Sequence, residues 1–216
     1  MEEIIKLPIF KTLTNHEKQL LLENCTVVDF DKREAVFKQG SFAVNSYYIL
    51  EGYCKVIYKS TTKKRMLAVL HQSEFIGKDY ASKDYYPYSF YALTSAKMLV
   101  IPILFLNSLC ESNFLFYKLL NERLENYLIN NAKWLVDTSL KNVQGSVAMF
   151  LLKYYSNEKY AGMPLSREEM SELIGYSREN VIHILKNFCA EKLISSIGKN
   201  IKILNKEKLE EIVRHS

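Results

Sequence analysis

The sequence is poor in the residues that mark non-globular or metal-clustering chains. Its 216 residues include only seven glycines and four prolines, which excludes collagen-like and low-complexity classes. The four cysteines are Cys25, Cys54, Cys110 and Cys189. No two of them stand at CxxC spacing, so a cysteine-held zinc or iron–sulfur cluster is not expected. We predict reduced, mostly buried thiols, as in a cytosolic protein.

Membrane and metal signals are also missing. The longest apolar run, Met98–Leu106, is interrupted by Pro102 and is too short to span a bilayer. The acidic start, Met1–Glu3, lacks the apolar core of a secretory signal. The four histidines show neither HxH nor HExxH spacing, so no metal site is predicted. These absences predict a cytoplasmic protein that does not contact membranes.

What is present is an ordinary globular composition with a basic excess. Hydrophobic residues make up 48% of the chain and the net charge is +5. Lysines are concentrated in the segment Lys186–Lys208. A basic stretch of this kind attracts polyanions, although lysine-rich surfaces are commonly only solvated.

The first half of the chain reads as β-structure. Thr14 and Glu17 form a capping-box pattern in a short helical lead-in. From about Val27 to Ile103, short runs of β-branched and aromatic residues alternate with polar or glycine breaks such as Glu51-Gly52. Many short strands at near-regular spacing predict a sandwich or a barrel-like roll.

A long helix is predicted next, from about Asn113 to Thr138. Its apolar residues recur at alternating spacings of three and four, which is typical of a helix that packs along its length against another helix. We interpret the stripe as a seam between two subunits, with a docked intrachain helix as the alternative. The predicted seam residues are Tyr117, Leu120, Leu124, Tyr127, Leu128, Asn131, Trp134 and Leu135.

The C-terminal part predicts a winged helix-turn-helix. The predicted elements are helices over Val143–Tyr154, Leu165–Ile174 and Ser177–Cys189, a hairpin over Leu193–Leu204, and a closing helix over Lys206–Arg214. Ser166 and Glu169 make a capping box, and Gly175 stands where the chain must turn between two helices. A tight helix pair followed by a basic hairpin is typical of DNA-binding modules.

The helix that begins at Ser177 has the chemistry to read a major groove. Arginine can donate two bonds to guanine, and glutamate can accept one from the amino group of cytosine. The predicted base-reading residues are Arg178, Glu179, Asn180 and His183. The predicted phosphate contacts are Ser166, Ser177, Lys186, Lys199 and Lys202.

These motifs resemble the Crp/Fnr family of bacterial transcription regulators. The resemblance is carried by Leu165–Met170 and Ile174–Val181 in the helix-turn-helix, by the hairpin Tyr47–Val56, and by Phe75–Gly77 before a ligand-binding turn. It covers nearly the whole chain. It implies an α+β fold in which residues 1–110 form an N-terminal double-stranded β-helix (jelly-roll-like) sensor domain, 111–138 a long dimerisation helix, and 139–216 a C-terminal winged helix-turn-helix.

The resemblance also implies partners. It implies a homodimer that binds double-stranded DNA at a pseudo-palindromic site, with half-sites about one helical turn apart. RNA polymerase is a candidate further partner. His183 stands where the cyclic-AMP-responsive members carry a second base-reading arginine, so a half-site different from theirs is predicted.

The sensor departs from the cyclic-nucleotide-binding members of that family. The matching effector-pocket positions are Gly77, Lys78, Tyr88 and Ser89. Lys78 replaces the glutamate that holds the ribose, and Tyr88 replaces the arginine that holds the cyclic phosphate. A buried anion without its guanidinium is costly, so a cyclic nucleotide is not expected and the effector stays unknown.

The sequence therefore predicts a homodimeric, sequence-specific transcription regulator with no catalytic residues and no cofactor. One alternative is a small-molecule-binding sensor whose winged helix mediates protein contacts. Another is an enzyme on a cupin-like roll, but His71 is the only histidine in the predicted roll, and such enzymes usually need closely spaced metal ligands.

Overall fold

The computed structural model describes residues 3–77, 85–160, 162–198 and 200–216. The chain divides into two compact units. The first consists of Met1–Tyr58 and Val69–Asn130, and the second of Lys59–Ala68 and Asn131–Ser216.

The predicted β-roll is present as two four-stranded sheets. The strands are β1 Thr26–Phe30, β2 Ala35–Phe37, β3 Asn45–Glu51, β4 Cys54–Lys59, β5 Lys64–Leu70, β6 Phe75–Ile76, β7 Ser89–Ala92 and β8 Ala96–Pro102. One sheet has the order β1-β8-β3-β6 and the other β2-β7-β4-β5. The pairs β1–β8, β3–β8, β3–β6, β2–β7 and β4–β7 are antiparallel.

The strand β8 lies between β1 and β3 in the first sheet. Leu99 lies opposite Val27 on one side and Tyr48 on the other, and both Leu99 and Tyr48 are fully buried.

The predicted turn at Glu51-Gly52 links β3 to β4. Gly52 has φ +90°, and a Cβ there would lie 2.5 Å from the carbonyl oxygen of Ser95, so only glycine fits.

A helical lead-in covers one part of the roll. Helix α1, Asn15–Asn24, begins with the predicted capping box, in which Thr14 and Glu17 exchange hydrogen bonds. The core of this region combines the lead-in, the roll and the following helices, and includes Phe10, Leu21, Tyr48, Phe116 and Leu120.

Two helices follow the roll. Helix α2 spans Ile103–Ser112, and the long helix α3 spans Phe114–Leu140, within two residues of its predicted bounds. The side-chain Oδ1 of Asn113 accepts a hydrogen bond from the backbone N–H of Phe116 at 2.9 Å, which satisfies a donor at the start of α3.

The C-terminal elements of the second unit form a winged helix-turn-helix. Its helices are α4 Val143–Tyr155, α5 Arg167–Ile174, α6 Arg178–Ala190 and α7 Lys206–Arg214, and its hairpin pairs β9 Ile194–Ile197 with β10 Asn200–Ile203. Every predicted element of this region is confirmed, most of them to within two residues. No helix in the described residues is both long enough and apolar enough to cross a membrane.

The thiols are placed much as the composition predicts. Cys25 and Cys54 are buried, and burial raises the pKa of each thiol to about 12. Both are therefore protonated at neutral pH and unreactive as nucleophiles. Cys110 and Cys189 are half-buried, and none of the four cysteines, all of which lie in the described residues, forms a disulfide.

Candidate nucleic-acid interface

The helix-turn-helix is assembled by local signals in the sequence. Ser166 caps α5 by accepting from the N–H of Glu169, whose carboxylate accepts from the Ser166 N–H. Gly175 ends α5 in the left-handed region at φ +89°. Ser177 then caps α6, its hydroxyl oxygen accepting from the N–H of Asn180 at 3.2 Å.

Helices α5 and α6 share one core. Met170 and Val181 are fully buried, and Leu185 is nearly so. Ser171 is also buried and donates to the carbonyl oxygen of Glu168 at 2.7 Å, which satisfies its hydroxyl. Because the apolar face of α6 faces this core, the opposite face of the helix is presented to solvent.

The exposed face of α6 is the one the sequence predicts. The predicted residues, the N-cap Ser177 and then Arg178, Glu179, Asn180, His183 and Lys186 on α6, are all exposed. Along the exposed side of α6, these side chains supply a guanidinium, a carboxylate, an amide, an imidazole and an ammonium. That set can donate to and accept from base edges, and it adds positive charge for phosphates.

The predicted phosphate contacts fall into three groups. Ser177 at the N-cap of α6, Lys186 on α6 and Lys202 on β10 are exposed. The hydroxyl of Ser166 donates to Oε2 of Glu169 at 2.9 Å, so in this structure it is engaged within the capping box. Lys199 lies outside the described residues.

The turn of the motif is tied to its own unit by two longer-range contacts. The hydroxyl of Tyr176 donates to the carbonyl oxygen of Lys141 at 2.6 Å. The indole Nε1 of Trp134 is 3.4 Å from the carbonyl oxygen of Leu173 in α5. Trp134 lies in the last turns of α3, and Lys141 directly follows that helix. The two contacts therefore join the helix pair to the C-terminal end of α3.

The structure corrects two of the predicted seam residues. Leu120 is fully buried in the core of the first unit, beside Phe116. Trp134 is buried in the second unit, where its ring lies against Tyr154 and under the ammonium of Lys153. The prediction that these two side chains face a partner subunit is wrong, because helical periodicity alone does not tell which apolar face packs within the chain.

The other six predicted seam residues leave an apolar stripe on α3. Leu128 is 68% exposed, and Leu135, Tyr117 and Tyr127 are also exposed, whereas Leu124 and Asn131 are half-buried. The exposed apolar surface extends further than predicted, to Ile129, Val136 and Leu140. Exposed apolar groups in such number on one helix indicate an interaction surface.

Sequence reasoning missed two polar residues near the candidate DNA-binding face of α6. Arg167, the first residue of α5, reaches the hairpin. Asn187 lies one turn after His183, and its side-chain nitrogen is 3.3 Å from the imidazole Nε2. The spacing of four residues on a predicted helix is the only signal that could have linked Asn187 to His183.

The predicted effector-pocket residues have different surroundings from one another. The Ser89 hydroxyl accepts from the N–H of Gln39 at 2.9 Å, and the ring of Tyr88 is 5.9 Å from that of Phe37. Gly77 lies against the backbone of Asn45 and Ser46. Lys78 lies outside the described residues.

Aromatic packing fills this part of the roll. Phe37 stacks on Tyr86 with ring centroids 3.8 Å apart and also contacts Phe90 and Tyr47. The hydroxyl of Tyr86 donates to the carbonyl oxygen of Asn45. Burial raises the pKa of the Tyr86 phenol, so it stays protonated and can act as that donor.

Among residues 3–77, 85–160, 162–198 and 200–216, no three His, Cys, Asp or Glu side chains lie close enough together to hold a metal ion.

Comparison with known proteins agrees with both units. Residues 27–113 match the family model of the cyclic nucleotide-binding domain, and residues 145–212 match that of the Crp-like helix-turn-helix domain. The cAMP-activated global transcriptional regulator CRP of Salmonella typhimurium is 25% identical over 202 residues, which cover 89% of this chain and 96% of that protein.

Solved structures show the same fold. A putative transcriptional regulator of the Crp/Fnr family from Eubacterium rectale superposes with a TM-score of 0.78 at 18% identity, covering 96% of this chain and 98% of that one. FixK2 from Bradyrhizobium japonicum gives a TM-score of 0.77 at 18% identity, covering 87% and 96% of the two chains. The cyclic nucleotide-binding model matches the first part of the chain and the Crp-like helix-turn-helix model matches the last part. Because both models match and the CRP relative covers most of the chain, the chain belongs to the Crp/Fnr family of DNA-binding transcription regulators, which are not enzymes.

Proposed function

We propose that the protein acts as a homodimer whose two α6 helices enter successive major grooves of a pseudo-palindromic DNA site. The observation that carries the proposal is the exposed polar face of α6, set on a buried apolar face. The exposed apolar stripe on α3 supports the dimer, because pairing two such stripes removes apolar area from water. A twofold dimer then presents two copies of α6.

Within each half-site, base reading and positioning fall to different residues. Arg178 and Glu179, at the start of α6, are the proposed base readers with the most specific chemistry, joined by Asn180 and His183. Lys186 and Lys202 are proposed to contact phosphates, which position the protein without specifying sequence. His183 offers a shorter side chain than arginine and cannot make the same bidentate contact to guanine.

We also propose that the roll does not bind a cyclic nucleotide, although the Salmonella relative is named as cAMP-activated. Position 88 carries a tyrosine that packs near Phe37, so no guanidinium is available there for a phosphate. We expect neither cyclic AMP nor cyclic GMP to shift the melting temperature of the purified protein, and saturable stabilisation by either would contradict this.

The experiment that tests DNA binding is selection of sites from random double-stranded DNA by the purified full chain. We expect a two-fold symmetric consensus with half-site centres about 10 base pairs apart. We also expect a complex that contains two chains for each duplex. Absence of any enriched sequence would overturn the proposal and favour a sensor module whose winged helix contacts proteins.

A further inference from the structure

The start of α5 and the tip of the hairpin are joined by one side chain. The Nη2 atom of Arg167 donates to the hydroxyl oxygen of Ser196 at 2.6 Å and to the carbonyl oxygen of Gly198 at 3.1 Å. Ser196 lies on β9, and Gly198 lies in the turn that leads to β10. We call the segment from Ile194 to Ile203 the wing. The contacts fix the wing tip to the first helix of the helix-turn-helix.

The root of the wing is well anchored by other means. The N–H of Leu193 donates to the carbonyl oxygen of Phe188, and the N–H groups of Leu204 and Asn205 donate to the carbonyl oxygen of Leu193. Ile194 and Ile201 are buried. These contacts hold the end of the hairpin that is nearest to α6 and α7.

The tip lacks comparable anchors. Ile197 is 83% exposed, and Asn200 is exposed as well. In the described part of the chain, the hydrogen bonds that the tip receives from outside the hairpin come from Arg167. Each strand has only four residues, and a two-stranded hairpin of that size is marginally stable without outside support.

The contact uses two nitrogens of one guanidinium, Nη2 toward the wing and Nη1 toward Met170, whereas lysine has only one. One planar guanidinium reaches two acceptors on the wing, while its Nη1 lies 3.4 Å from Sδ of the fully buried Met170. The contact with Met170 limits the rotation of the guanidinium plane. A lysine ammonium has no such plane and cannot be oriented in this way.

The same arginine shapes the surface that would face DNA. A concave pocket of about 310 Å³ lies between the start of α5, the start of α6 and the wing tip. It is lined by Leu165, Ser166, Arg167, Glu168, Arg178 and Gly198. The proposed base reader Arg178 and the wing tip therefore border one concavity, and Arg167, which donates to Gly198, lines it as well.

We propose that Arg167 is a positioning residue that holds the wing in its DNA-binding arrangement before DNA arrives. The proposal rests on the proposed function, because in it the wing places Lys202 against the DNA backbone. A wing fixed in advance loses less conformational freedom on binding, so the complex is tighter.

The test compares four variants of the full chain: R167A, R167K, S196A and S195A. Ser195 neighbours Ser196 on β9 and makes no described contact with Arg167, so S195A is the matched control. The first readout is amide hydrogen exchange of the wing in the free protein. We expect R167A, R167K and S196A to speed exchange near the tip several-fold, and S195A to match the wild type.

The second readout is DNA affinity and its salt dependence. We expect R167A, R167K and S196A to raise the dissociation constant by about 3- to 10-fold, the size of one or two lost hydrogen bonds. S196A removes no charge, so its salt dependence should equal that of the wild type.

Two results would overturn the proposal. One is unchanged exchange of the wing tip in S196A and R167K. The other is wild-type affinity in S196A combined with weak binding and a shallower salt slope in R167A, which would mean that Arg167 contacts a phosphate directly. If the wild type binds no DNA, the proposed function fails, whereas the exchange experiment on the free protein still decides whether Arg167 holds the wing.

Discussion

The carboxylate of Glu17 accepts a hydrogen bond from the side-chain amide of Asn113, with Nδ2 lying 2.9 Å from Oε2. Glu17 belongs to α1, and Asn113 stands at the junction of α2 and α3. The same carboxylate accepts from the N–H and hydroxyl of Thr14 and from the hydroxyl of Ser112. One nearly buried charge thus ties the lead-in helix to the start of the long helix.

This arrangement predicts acid-sensitive stability. Burial by itself raises the pKa of the Glu17 carboxyl, but the hydrogen bonds from Thr14, Asn113 and Ser112 outweigh it and hold the pKa below its ordinary value of 4.5. Because the folded pKa is depressed, ionised Glu17 stabilises the fold fully above pH 4.5. That contribution is lost as the pH falls through the folded pKa.

Replacing Glu17 with Gln should therefore lower the free energy of unfolding at pH 7 by about 1–3 kcal/mol, the usual range for a hydrogen-bonded charge. The difference from the wild type should shrink as the pH falls below 4.5. Urea titrations at a series of pH values measure both effects. Glu125→Gln, at an exposed position of α3, is the control, and an equal loss in both variants would contradict the assignment.

Arg178→Ala should remove specific DNA recognition and leave the fold intact. Loss of a bidentate contact to guanine costs about 1–3 kcal/mol, which is roughly 5- to 150-fold in affinity for the selected site. Fluorescence anisotropy with selected and scrambled duplexes measures the change. The matched control is Arg214→Ala on α7, which removes the same charge from an exposed position. Wild-type affinity in Arg178→Ala would end the assignment of α6 as the recognition helix.

His183 and Lys186 should differ in the kind of binding they support. His183→Ala should relax base preference at one symmetric position in each half-site, because His183 is proposed to read a base edge. Lys186→Ala should weaken binding to all sequences about equally and reduce the salt slope by about one. Site selection and salt titrations of both variants separate these outcomes. A uniform loss for His183→Ala would place it among the phosphate contacts.

Leu128→Asp should weaken the proposed dimer. Leu128 is 68% exposed in the single chain, so the substitution does not disturb the intrachain core, whereas a charge in an apolar seam is strongly unfavourable. Analytical ultracentrifugation over a concentration series measures the association. Asn126→Asp adds the same charge at an exposed position of α3 that is outside the predicted seam and should leave the dimer unchanged. An unaltered dimer in Leu128→Asp would count against the seam.

Gly175→Ala should destabilise the helix-turn-helix. The residue has φ +89°, a region that alanine enters only with strain, and the expected cost is about 1 kcal/mol. Gly175→Asn should cost less, because asparagine tolerates this conformation better. Thermal unfolding of both variants measures the difference. Equal stability of Gly175→Ala and the wild type would show that the turn has relaxed to another geometry.

The order and type of the secondary-structure elements follow from the amino-acid sequence alone. Capping residues such as Thr14, Ser166 and Ser177, the turn at Gly175 and the alternation of the strand runs are local signals, since each depends on residues a few positions apart. They predicted the roll, the long helix and the winged helix-turn-helix, and they predicted which face of α6 is exposed.

Which apolar and polar groups meet across long stretches of chain depends on tertiary packing. Leu120 and Trp134 share the helical stripe of Leu128, yet each is buried inside its own unit. The reason is that the side chains packed around them come from elements distant in sequence. Arg167 finds Ser196 for the same reason. A periodicity reports that a face is apolar, whereas the partner of that face is fixed only when the whole chain has folded around it.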